Sequence, residues 1–62
     1  MDIKAEFQSA VSLLDSVTAE INDTKYQELS DIDRQLLGEQ QIALQGIIAV
    51  MRMRAGRANV EL

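Results

Sequence analysis

Sixty-two residues with ten acids, six bases, no histidine and no cysteine make at most one domain, and neither a disulfide nor a usual metal site can staple it. The net charge of −4 argues against generic duplex binding, whose signature is a basic footprint. Without a His or Cys for a base–nucleophile pair, and with no Gly-rich phosphate loop, neither catalysis nor a cofactor is expected.

The first element is a helix over about residues 2–21. Ile3, Phe7, Ala10, Leu14, Val17 and Ile21 recur at spacings of 4, 3, 4, 3 and 4, a three-heptad apolar seam on an otherwise polar helix. Asn22-Asp23 supplies the stop. The connection, residues 22–30, holds Thr24-Lys25-Tyr26-Gln27, which fits a capping box at the head of one helical turn. Ser30 is a second N-cap candidate, with Asp31 and Asp33 where negative charge suits the helix dipole.

The second helix spans about residues 31–56, with Gly56 as a C-cap candidate and a frayed tail over 57–62. From Ile42 to Met53 it is apolar nearly all round, so one partner helix cannot cover it. Its apolar residues resolve into two stripes. Leu37, Leu44, Ile48, Met51 and Ala55, joined by Leu36 and Ile47, are assigned to helix one. Gly38, Ile42, Ala49, Met53 and Gly56 form the other stripe, whose small residues admit a second backbone. The fold class is therefore all-α: an antiparallel two-helix hairpin with a short helical turn between, self-associating into a helical bundle. A dimer forming a four-helix bundle is the simplest version.

No basic n-region precedes an apolar core near the N-terminus. The longest apolar run, Gly46 to Met51, is well short of the roughly 18–20 residues that span a bilayer. The expectation is a soluble, cytoplasmic chain without a membrane partner.

Three features are candidates for ligand or partner contact. Arg52, Arg54 and Arg57 cluster without an acid between them, while residues 1–33 hold eight acids against Lys4 and Lys25. The hairpin brings Arg52 and Arg54 towards Asp2 and Glu6, so the cluster reads either as solvated pairing or as a forked anion site. Lys25-Tyr26 reads either as a cap on the core or as a stacking platform. Gln40 or Gln41, beside the core stripes, is placed to hydrogen-bond across a helix interface.

Leu14 to Met51 resembles a group of small helical-hairpin accessory proteins of tailed phages and prophages. The matching pattern is Lys25-Tyr26-Gln27-Glu28-Leu29-Ser30, then Leu36-Leu37-Gly38-Glu39-Gln40, then Ile47 to Arg54. Gly38 and Gly46 depart from it, standing where stronger helix formers are expected. The Tyr-x-x-Leu-Ser step is also similar to that of oligomeric phage proteins that soak up cyclic-nucleotide signals. The resemblance implies a non-enzymatic phage protein that binds stoichiometrically in the host cytoplasm, antagonising host anti-phage defence as a protein inhibitor or a nucleotide sponge. In the sponge version Tyr26 stacks on a base while Arg52, Arg54 or Arg57 meets phosphate. The alternative is an assembly module with no small-molecule ligand.

Overall fold

The computed structural model describes residues 2–62 and is an all-helical hairpin. Helix α1 runs Ile3–Ile21, a 3₁₀ turn (η1) Thr24–Glu28, and helix α2 Asp31–Ala58. The helices pack along their lengths, in a rod measuring 44 × 16 × 15 Å.

Each boundary has a local cause. Asp2 is the N-cap of α1, its Oδ1 accepting from the Ala5 N–H at 3.1 Å. Asn22 ends α1, donating its N–H to the Thr18 carbonyl at 3.0 Å. Ser30 caps α2 as expected, its Oγ accepting from the Asp33 N–H at 3.2 Å. These bonds satisfy donors that the first turn of a helix otherwise leaves open.

Two local expectations are corrected. The turn is capped by Asp23, not by a Thr24 box: Asp23 Oδ1 accepts from the Lys25 N–H at 2.8 Å. A carboxylate one residue earlier is the stronger acceptor, and it suits a 3₁₀ turn too short for the reciprocal Gln contact. Helix α2 also passes through Gly56 and ends at Ala58, so Arg57 and Ala58 belong to the helix rather than to a frayed tail. Asn59 takes the left-handed conformation instead, with φ 57. The Val60 N–H donates to the Ala55 carbonyl at 2.9 Å and the Asn59 N–H to Gly56 at 3.3 Å, a Schellman closure. Arg57 and Ala58 are good helix formers, and Asn tolerates the left-handed region better than most residues other than Gly.

The core is thin. Among the described residues the buried ones are Ala10, Val17, Leu44, Ile48 and Ala55, and none of them is completely sealed from solvent. Ile3, Phe7, Leu14 and Ile21 of α1 and Leu37 and Met51 of α2 line it half-buried, so the α1 seam and most of the first α2 stripe meet as their spacing requires. Leu36 and Ile47 do not join them: they are 54% and 47% exposed. Leu36 lies eight residues before Leu44, about 80° round the helix, beyond the width that α1 can cover. Gln41 holds an inner position, donating from Nε2 to Thr18 Oγ1 at 3.2 Å across the interface.

With so few buried side chains, one truncation decides the fold. Leu44→Ala is expected to cost at least about 2 kcal/mol, out of the small total that a chain of this size holds. Gln45→Ala, at the exposed next position, should change little. Urea unfolding followed by circular dichroism checks this; equal midpoints for the two variants would contradict the assigned core.

Candidate interaction surface

The antiparallel pairing places residues near the end of α2 beside those near the start of α1. Arg54 Nη1 lies 3.7 Å from Glu6 Oε2, with both side chains partly exposed. Arg52 does not reach Asp2 or Glu6; its guanidinium carbon sits 5.0 Å above the centroid of the Phe7 ring. Such a cation–π contact is worth about 0.5–1 kcal/mol at an exposed site. Arg57 is exposed in the last turn of α2, where a cation favours the helix dipole. The cluster thus divides three ways: one arginine on a carboxylate, one on a ring, one at the helix end.

Lys25 and Tyr26 lie at the opposite end. With Glu20, Asp23 and Leu29 they line an open cleft of about 220 Å³. Two carboxylates against one ammonium make a poor site for a phosphate, whatever Tyr26 offers for stacking. The 21 residues of α2 between Asp31 and Arg52 rise about 32 Å, so a single chain keeps Tyr26 and the arginines apart. Next to the cleft, Arg34 pairs with Asp31 and donates from Nη1 to Gln27 Oε1 at 3.1 Å, tying α2 to the turn.

The third feature is the outside of α2. Ile42 and Met53 are 68% and 62% exposed; Ala49 and Gly56 are exposed and Gly38 half-buried. The second stripe therefore lies open along the hairpin. A Cβ built on Gly38, Gly46 or Gly56 meets nothing within 4 Å, so packing inside the hairpin requires glycine at none of them.

Beside that stripe runs a bulkier one, which includes Leu36 and Ile47. Ile32, Leu36, Ile47 and Val50 are between 47% and 58% exposed, and Ala43 lies exposed among them. Leu13 of α1 extends this flank. It stands seven residues after Glu6, and Ile47 stands seven before Arg54, so the pair repeats the Glu6–Arg54 geometry one heptad nearer the turn. Leu13 is 48% exposed. The signal was available in the sequence: 32, 36, 43, 47 and 50 are themselves a helical series.

Among the described residues no acidic cluster is placed to hold a metal ion, and no helix is long and apolar enough to cross a membrane. Compared with protein-family models, curated proteins and solved structures, the chain matches none.

The open space at the glycines gives a direct test. Gly46→Ala and Gly56→Ala should each stabilise the helix by up to about 1 kcal/mol, raising the thermal midpoint of a dilute sample. A lowered midpoint for either would show that a close backbone approach, absent from the lone hairpin, uses that position.

Proposed function

We propose that the protein is a non-enzymatic binding module that works by stoichiometric, helix-on-helix association through the outer side of α2, and that it assembles with itself. One observation carries the reading. A compact chain of 6.9 kDa exposes about 4,000 Å², whereas this one exposes 4661 Å², with Ile32, Leu36, Ile42, Ile47, Val50 and Met53 of α2 all about half exposed or more. Apolar surface gathered on one element, rather than scattered singly, is the mark of an interaction face.

Two ways of using such a module differ in their product. If the chain is phage-encoded, as the resemblance suggests, the bound state would occupy a host defence protein or a nucleotide signal. If it is an assembly module, the oligomer is itself the product. The geometry favours association over small-molecule capture, because the tyrosine cleft is shallow and acid-rimmed and the arginines stand at the other end of the rod.

Native mass spectrometry over a dilution series tests the common claim. The expected result is a multiple of 6.9 kDa at high concentration that falls to the single chain on dilution. A chain that stays a folded monomer throughout would sink the proposal.

A further inference from the structure

The surface of α2 also specifies how a second copy is seated. Building on the self-assembly just proposed, we infer that two chains pair antiparallel about a two-fold axis at Ala43, through the Ile32, Leu36, Ala43, Ile47 and Val50 flank rather than the small-residue stripe. Three observations support this.

The first is spacing. Ile32, Leu36, Glu39, Ala43, Ile47, Val50 and Arg54 follow one another at intervals of 4, 3, 4, 4, 3 and 4, a series that reads the same in both directions. A two-fold through Ala43 therefore sets Leu36 against Val50 of the copy, Ala43 against itself, and Glu39 beside Ile47, where its carboxylate reaches past the aliphatic side chain to solvent. That is the self-complementarity an isologous interface needs, with the smallest side chain where two backbones cross.

The second is area. The chain exposes 4661 Å², roughly 650 Å² more than compact chains of its mass. One partner's share of a standard interface is about 800 Å². This flank supplies four large half-exposed aliphatic residues from α2, and Leu13 widens it on to α1, so the two hairpins meet as a four-helix bundle.

The third is charge. In this register Arg54 arrives beside Ile32 of the copy, between Asp31 and Asp33, and Arg57 passes the start of the copy's α2, towards the turn that carries Glu28. All five of these carboxyl-bearing and basic groups at the rod ends lie at exposed positions, where opposite signs steer pairing and fix register. Pairing through the small-residue stripe instead, with Gly38 against Gly56, would set Arg52 over Ile42 and Arg57 over Leu37, away from the acidic turn.

The absence of cysteine from these 62 residues allows a clean test by disulfide trapping of the whole hairpin. Ala43→Cys should give a band at twice 6.9 kDa under mild oxidation, since residues on the axis come within disulfide range. Ala49→Cys, six residues on and about 120° round the helix, should stay monomeric on the gel. Mixed Leu36→Cys and Val50→Cys chains should cross-link with each other in preference to themselves. Trapping through Ala49→Cys but not Ala43→Cys, or Leu36→Cys linking chiefly to itself, would overturn this register while leaving self-assembly intact. A monomer in native mass spectrometry, with no trapping at any site, would remove both. Retained helical circular dichroism in each variant excludes unfolding as the reason for a missing band.

Discussion

Two helices can bury only the surfaces they turn towards each other, and here those surfaces are unequal. Helix α2 has 28 residues and α1 has 19, so nine residues of α2 have no α1 residue beside them. The 3₁₀ turn lies against the overhang and Arg34 ties it down through Gln27, but Ile32 and Leu36 remain uncovered. The apolar arc of α2 is also wider than one neighbouring helix can shield. From this mismatch follow the thin core, the large exposed area and an outer face that invites another chain.

The same mismatch explains what could be read before the structure was known. In α1 the apolar seam is narrow and its spacing regular, so Ile3 through Ile21 could only turn one way. Asp2 and Ser30 stand directly before periodic segments, where a side-chain acceptor has an obvious donor to meet. In α2 periodicity states which residues share a face, but not which of several apolar faces α1 will take. Leu36 and Ile47 were therefore credited to the core, although their positions lie well round the helix from Leu44 and Ile48. Chain ends were uncertain for another reason. Gly56 and Asn59 both accept left-handed geometry, and Thr24 and Asp23 both offer an oxygen; in each case the choice turned on the neighbouring residues.

Charge is distributed along the rod as unevenly as apolar surface is distributed around it. The turn end carries Glu20, Asp23, Glu28, Asp31 and Asp33 against Lys25 and Arg34, whereas at the open end Lys4, Arg52, Arg54 and Arg57 more than balance Asp2, Glu6 and Glu61. Within one hairpin Glu6 meets Arg54 and the Phe7 ring meets Arg52, and exposed contacts of this kind add little to stability. Their larger effect is on orientation. A rod with one acidic end favours an antiparallel neighbour over a parallel one, because parallel alignment would place the acidic turns side by side. The distribution thus selects among arrangements that hydrophobic burial alone leaves nearly equivalent.

The glycines link these two levels. Gly38, Gly46 and Gly56 weaken α2 by roughly 1 kcal/mol each relative to alanine, yet inside the hairpin no neighbouring atom approaches closely enough to require them. The lone hairpin therefore supports a helix whose own sequence is poorer than it could be, on a core in which, among the described residues, Leu44 and Ile48 are the large buried side chains. Any partner that covers α2 binds the folded form and not the unfolded chain, so association adds directly to folding stability by mass action. If copies of the chain pair as proposed, then for a domain this small its concentration adds to how much of it is folded, and the interface would become part of the fold.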